Sequence, residues 1–138
     1  MDAKVTWKNG LSFTGVADSE IEIPIGTSVE HGGAGDGISP MEMLLVAVGG
    51  CSGMDVVSIL EKKRQKVTHF EILVHGDRAD EHPKVFNKIT VEYVVTGDHL
   101  DPEAVKRAVE LSETKYCSVM ATLRKTAEIT IKITLKEG

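Results

Sequence analysis

The feature that most constrains this fold is a long helix signal whose apolar residues leave no polar face. Ser39 followed by Pro40, with Glu42 three residues after Ser39, is typical of a capped helix start. The first half of the helix is apolar on every side apart from Glu42 and Ser52. A helix of this kind is buried all round, and a chain of 138 residues can hardly enclose it alone. The sequence therefore predicts a helix over Pro40–Lys63 at the centre of a dimer, with a partner chain covering part of the helix.

Alternating apolar residues predict six strands around this helix. Their predicted bounds are Ala3–Lys8, Leu11–Ala17, Glu20–Ile25, His69–Gly76, Lys88–Val95 and Ala127–Leu135. A type I′ turn at Asn9-Gly10 should join the first two strands. Two shorter helices, one starting at Asp101 and one near Ser118, precede the last strand. The order βββ-α-ββ-α-α-β predicts an α+β fold with mainly antiparallel sheets around the central helix, in a single domain over residues 1–138.

Charge and hydropathy narrow the class of partner. The formal net charge is −5, which argues against nucleic acid or an anionic membrane surface. The longest nearly uncharged apolar stretch, Met43–Met54, is too short to span a bilayer, and the first ten residues lack the apolar segment of a secretory signal. These features lead us to expect a cytoplasmic protein.

Motifs for phosphate and metal binding are incomplete. The glycine-rich loop Gly26–Ile38 leads into a helix start, but no Gly-Lys-Ser/Thr follows, so a P-loop is not indicated. None of the five histidines pairs with another at a spacing of four residues, and no C-x-x-C occurs. The sequence therefore predicts no metal and no cofactor.

Two cysteines remain as candidates for chemistry. Cys51 lies inside the apolar helix, and Cys117 comes directly before the third predicted helix, whose N-terminal dipole would favour a thiolate. Lys115 and Arg124 are the candidate cations near Cys117 along the chain. On these residues alone, two buried structural thiols and a redox-active pair both remain open.

The residues around both cysteines resemble the OsmC/Ohr family of thiol peroxidases. SPMEMLL and GGCS cover the helix start and Cys51, DVVSIL follows, and KYCSV surrounds Cys117. The residues of these motifs are similar to those of the YhfA-like branch, and the order of helices and strands matches that of the family along nearly the whole chain.

This resemblance implies an intertwined homodimer that reduces organic hydroperoxides in oxidative stress defence. It implies that Cys51 is the peroxidatic cysteine and Cys117 the resolving one, and that a dithiol such as dihydrolipoamide reduces the resulting disulfide. Sulfur carries this peroxiredoxin-like chemistry without metal, haem or flavin.

The sequence departs from the family pattern at two charged positions. No arginine precedes Arg64, whereas well-studied members carry one in the N-terminal sheet region, and Met41 occupies the position of their acidic residue. Glu42 lies half a helical turn out of phase with Cys51, which favours a capping role. Arg124 and Lys115 are the candidate replacements for the missing cation.

Two functions are therefore compatible with the sequence. The first is a thiol peroxidase that uses both cysteines. The second is a weakly catalytic or non-catalytic OsmC-like dimer that binds a small ligand or senses redox state.

Overall fold

The computed structural model describes all 138 residues and contains six strands and three α-helices. Their bounds are β1 (Ala3–Asn9), β2 (Ser12–Ala17), β3 (Ile23–Ile25), α1 (Pro40–Lys62), β4 (Lys66–Arg78), β5 (Phe86–Asp98), α2 (Pro102–Leu111), α3 (Ser118–Leu123) and β6 (Glu128–Glu137). A 3₁₀ turn covers Val29–His31, and a π-helical turn covers Ser112–Tyr116. The predicted order βββ-α-ββ-α-α-β and the α+β class are confirmed.

The chain divides into two compact units, Met1–Leu44 and Leu45–Gly138. Each has one three-stranded sheet, with strand order β1-β2-β3 in the first and β4-β5-β6 in the second. A single domain over residues 1–138 remains a prediction.

The sheet of the first unit is antiparallel, and two local expectations for it are wrong. The hairpin turn lies at Gly10-Leu11, and only Gly10 has a positive φ, whereas a type I′ turn needs positive φ at both central residues. The third strand is shorter than predicted because Glu20 adopts a φ of 64° and its N–H donates to the Ala17 carbonyl. That turn removes the first residues of the predicted strand from the sheet.

The sheet of the second unit is mixed. β4 and β5 are antiparallel strands of 13 residues each, longer than predicted at both ends, and β6 runs parallel to β5. A parallel neighbour needs a crossover connection, and the segment from α2 to α3 provides it. Because three of the four strand pairings are antiparallel, the prediction of mainly antiparallel sheets is confirmed.

Helix α1 begins as its sequence predicts. The Ser39 N–H donates to the Glu42 carboxylate at 3.3 Å, and the Glu42 N–H donates to the Ser39 hydroxyl at 3.4 Å. This is the reciprocal capping box, and it accounts for Glu42.

The chain buries only one stripe of α1. The buried side chains recur every four residues at Val48, Ser52, Val56 and Leu60, whereas Met54 is 72% exposed. With 23 residues, α1 is longer than the uncharged apolar stretch seen in the sequence, and by length and composition alone it would suffice to cross a membrane. The core helix of a soluble assembly meets the same criterion.

Candidate active site

One thiol of the candidate site is carried by α1. Cys51 is partly exposed and lies one residue before the buried Ser52. Asp55 follows Cys51 by four residues, so the two side chains lie on the same helix face. Both residues therefore flank the buried stripe, and their functional groups point to the same neighbourhood.

Small residues let α1 approach β4 closely. A Cβ added at Gly53 would lie 3.1 Å from the Ile72 side chain, and one at Gly49 would lie 3.4 Å from Val74. A Cβ at Gly50 would meet nothing within 4 Å. Gly49 and Gly53 thus allow contact with the sheet, whereas Gly50 lies beside open space.

The second thiol is positioned by the π turn after α2. The Cys117 N–H donates to the Ser112 carbonyl across five residues at 2.8 Å, which is π-helical spacing. Cys117 is then the N-cap of α3, where its Sγ accepts a hydrogen bond from the Met120 N–H at 3.4 Å. Only 3% of Cys117 is exposed.

The fold brings the two cysteines together beside a carboxylate. The Sγ atoms of Cys51 and Cys117 and a carboxylate oxygen of Asp55 all lie within 4.8 Å of one another. We refer to these three residues as the thiol cluster. Both cysteines are free thiols in this structure, although 66 positions separate them in the sequence.

A chain of buried hydroxyl groups ends at Asp55. Tyr93 Oη and Ser52 Oγ are 2.6 Å apart, Ser52 Oγ and Ser112 Oγ are 2.8 Å apart, and Ser112 Oγ donates to Asp55 Oδ2 at 2.9 Å. An ionised carboxylate can only accept hydrogen bonds. Ser112 therefore uses its single proton on Asp55 and accepts from Ser52, and Ser52 accepts from Tyr93. Every donor in the chain points towards the carboxylate.

Burial sets the acidity of two members of this region. It raises the pKa of the Cys117 thiol to about 11; the Met120 N–H opposes the rise, and Cys51 and the Asp55 carboxylate add to it. Burial also raises the pKa of Tyr93 to about 12. The helix terminus favours the Cys117 thiolate through the Met120 N–H, as the sequence predicted, but desolvation outweighs this hydrogen bond and the pKa is raised overall.

The candidate cations make contacts of their own. The Arg124 guanidinium lies 3.8 Å from the Glu113 carboxylate and also donates to the Glu113 carbonyl at 3.2 Å. The Lys115 ammonium lies 5.2 Å from the centre of the Tyr116 ring. The charged group of the thiol cluster is the Asp55 carboxylate.

Two grooves border α1 within the second unit. The sheet-side groove, of about 660 Å³, has mostly apolar walls, including Val46, Met54, Phe70 and Ile72. The helix-side groove, of about 640 Å³, includes Met54, Asp55, Leu111 and Tyr116. Met54 lines both grooves, and Asp55 adds a carboxylate to the wall of the second.

Donor atoms suitable for a cation converge at two places. The thiol cluster offers two sulfur atoms and one oxygen atom at close spacing. At the exposed end of β5, His99 lies with Asp98 and Glu137, where the imidazole pairs with both carboxylates. Histidine spacing along the chain could not reveal this second group, because Glu137 comes from a different strand.

Sequence reasoning identified both cysteines but missed Asp55 and the hydroxyl chain. The spacing of four residues from Cys51 to Asp55 on a predicted helix was the available signal. Ser112 and Tyr93 come from distant segments, and no local pattern marks them.

Comparison with known proteins identifies the family. The model of the family described as OsmC-like protein matches residues 33–132. Protein YhfA of Escherichia coli K12 is 46% identical over 131 residues, covering 94% of each chain. The crystal structure of a hypothetical protein from Aquifex aeolicus is 34% identical, covers 99% of this chain and 96% of its own, and superposes with a TM-score of 0.87.

A more distant likeness concerns the fold alone. An organic hydroperoxide resistance protein, OsmC, from Legionella pneumophila superposes with a TM-score of 0.70 at 12% identity, covering 96% of this chain and 95% of its own. The extent of the family match and the identity to YhfA show that this chain belongs to the OsmC-like family.

Proposed function

We propose that this chain reduces organic hydroperoxides, with Cys51 as the peroxidatic cysteine and Cys117 as the resolving cysteine. The observation that carries the proposal is the placement of two free thiols within 4.8 Å of each other. Two structural thiols in a core have no need to meet, whereas a disulfide requires Cα atoms within about 7 Å.

The proposed cycle has three balanced steps. The Cys51 thiolate attacks the terminal oxygen of ROOH, the O–O bond breaks, and the alkoxide takes a proton to leave as ROH. Cys51 is then a sulfenic acid. Cys117 attacks that sulfur, an S–S bond forms and water leaves. A dithiol such as dihydrolipoamide then reduces the disulfide through a mixed disulfide and is itself oxidised.

Exposure supports this division of roles. Cys51 is partly exposed, whereas Cys117 is 3% exposed, so a peroxide from solvent reaches Cys51 first. The helix-side groove contains Asp55 of the thiol cluster together with the apolar Met54 and Leu111. Apolar contacts there favour an organic peroxide over hydrogen peroxide, since each buried CH₂ contributes about 0.8 kcal/mol.

The proposal includes a cytoplasmic homodimer that acts in oxidative stress defence. Val46 and Met54 on α1 are 64% and 72% exposed in the single chain, and they belong to the wall of the sheet-side groove. A second copy that covers this face would bury these side chains. The dimer also accounts for a helix that is apolar all round.

Stopped-flow reduction of cumene hydroperoxide, tert-butyl hydroperoxide and hydrogen peroxide tests the proposal. We expect wild type to consume the organic peroxides faster than hydrogen peroxide. Cys51→Ser should be inactive, and Cys117→Ser should stop at a sulfenic acid that dimedone traps. Intact mass after one equivalent of peroxide should show wild type two hydrogens lighter, with an intrachain disulfide.

The apolar sheet-side groove favours a second candidate, a small-ligand-binding or redox-sensing dimer. Equal and negligible peroxide consumption by wild type and both cysteine variants would reject the peroxidase. It would leave this second candidate, for which ligand binding to the groove could be measured directly.

A further inference from the structure

We propose that Asp55 is the general base of the resolving step: it takes the proton from the Cys117 thiol and delivers it to the hydroxide that leaves Cys51. This inference rests on the proposed function, because it concerns the second step of that cycle.

The buried position of Cys117 creates the need for a base. A thiol must lose its proton to attack the sulfenic sulfur. With a pKa of about 11, on the order of one Cys117 in 10,000 is ionised at pH 7. A nearby proton acceptor would let the neutral thiol react, so that the step would not depend on this small ionised fraction.

Asp55 is the proton acceptor that the geometry places there. Its carboxylate oxygen lies within 4.8 Å of both sulfur atoms. The nearby Glu113 carboxylate is paired with Arg124, and no histidine is a member of the thiol cluster. Tyr93 directs its proton along the hydroxyl chain towards Asp55, so it acts as a donor there.

The hydroxyl chain holds the carboxylate for this task. Ser112 donates to Oδ2, so one carboxylate oxygen is anchored and the group keeps lone pairs for a further proton. Ser112 is itself fixed by Ser52, and Ser52 by Tyr93, all three being buried. A carboxylate anchored through one oxygen can accept and release a proton at the other without moving away.

The step balances without an external acid or base. Asp55 accepts the Cys117 proton as the Cys117 sulfur attacks the sulfenic sulfur of Cys51. The S–S bond forms, the S–O bond breaks, and the departing hydroxide takes the proton from Asp55 to become water. The carboxylate is regenerated, and both sulfurs are in the disulfide.

A variant without the Asp55 charge distinguishes two roles of this residue, that of a proton acceptor and that of a negative charge beside Cys117. The negative carboxylate raises the pKa of Cys117, so charge removal alone would make Cys117 more acidic and the resolving step faster. Loss of a general base makes the step slower, typically by a factor of about 10² to 10⁴. The two roles therefore predict opposite signs for Asp55→Asn, which retains an oxygen that can accept from Ser112.

The test measures how long the Cys51 sulfenic acid survives after one equivalent of cumene hydroperoxide. Dimedone capture followed by intact mass reports it at timed intervals. We expect the intermediate to persist about 100-fold longer in Asp55→Asn than in wild type. The matched control is Glu110→Gln, which removes one carboxylate from α2 at a partly exposed position outside the thiol cluster. The sulfenic acid should last as long in this variant as in wild type.

A second variant keeps the test decisive if Asp55→Asn fails to fold. Ser112→Ala retains the carboxylate but removes its anchor, and we expect the sulfenic acid to last about tenfold longer. A lifetime equal to or shorter than that of wild type in the folded variant would overturn the role of Asp55. Absence of a trapped sulfenic acid in Cys117→Ser, together with absence of the intrachain disulfide in peroxide-treated wild type, would instead refute the proposed function.

Discussion

Oxidation of Cys51 and Cys117 to a disulfide should stabilise the protein strongly. The bond would close a loop spanning 66 positions, and the chain-entropy estimate for such a loop is about 4 kcal/mol. Bond formation also alters the hydrogen bond from the Met120 N–H to the Cys117 sulfur, which contributes about 1 kcal/mol. We therefore expect a net gain of about 3 kcal/mol in the free energy of unfolding.

Urea denaturation measures this gain independently of peroxide chemistry. The protein is oxidised with diamide or kept reduced, and both forms are unfolded at the same protomer concentration, because association would shift the apparent stability. With a slope of about 1 to 3 kcal/mol per molar urea, the midpoint should rise by about 1 to 3 M on oxidation. Diamide-treated Cys117→Ser provides the control and should keep its midpoint.

Two results would contradict the predicted stabilisation by the disulfide. If the oxidised and reduced forms unfold within about 0.5 kcal/mol of each other while mass spectrometry shows an intrachain bond, the loop argument fails. If diamide produces only links between chains, the two sulfurs cannot reach each other, and the paired-thiol site must be abandoned.

Three further outcomes are expected. The native pKa of Cys117 is raised to about 11 and that of Tyr93 to about 12, so both groups are more easily ionised in the unfolded chain. Their contribution to the free energy of unfolding should be fully present below about pH 9 and should be lost as the pH rises through the native values. A urea midpoint that is flat from pH 8 to 11 would contradict this. Ser52→Ala leaves the buried Tyr93 hydroxyl without its acceptor and should lower the free energy of unfolding by about 1 to 3 kcal/mol in urea, more than Tyr93→Phe does. The reverse order would be inconsistent with Tyr93 donating to Ser52. Met54→Asp should convert the proposed dimer to monomer in sedimentation velocity, whereas an unchanged dimer would exclude this face from the interface.

Local signals predicted the elements that depend on local chemistry. The capping box fixed the start of α1, and Asp101 caps α2 by accepting from the Glu103 N–H at 3.0 Å. The third strand was predicted too long because alternation continued across Glu20, whose positive φ no pattern of hydropathy reveals.

The site depended on contacts between distant residues. Ser112 lies 57 positions from Asp55, and Tyr93 lies 41 positions from Ser52. Sequence analysis could see the helix terminus beside Cys117 but not the burial that raises its pKa, because burial is set by the packing of separate elements. The resemblance of the motifs predicted the pair of cysteines, and the structure added the Asp55 carboxylate beside them.

The π turn gives Arg124 a mechanical role. In a continuous α-helix the Glu113 carbonyl would bond to the Cys117 N–H, but the π turn assigns that N–H to Ser112. Arg124 binds the released Glu113 carbonyl and the Glu113 carboxylate together. It thereby links the two ends of the twelve-residue segment from Glu113 to Arg124, which carries the Cys117 thiol. The surface side chain of Arg124 thus supplies the Glu113 carbonyl with the donor that the π turn takes away, so a contact made outside the thiol cluster supports the backbone geometry that places Cys117.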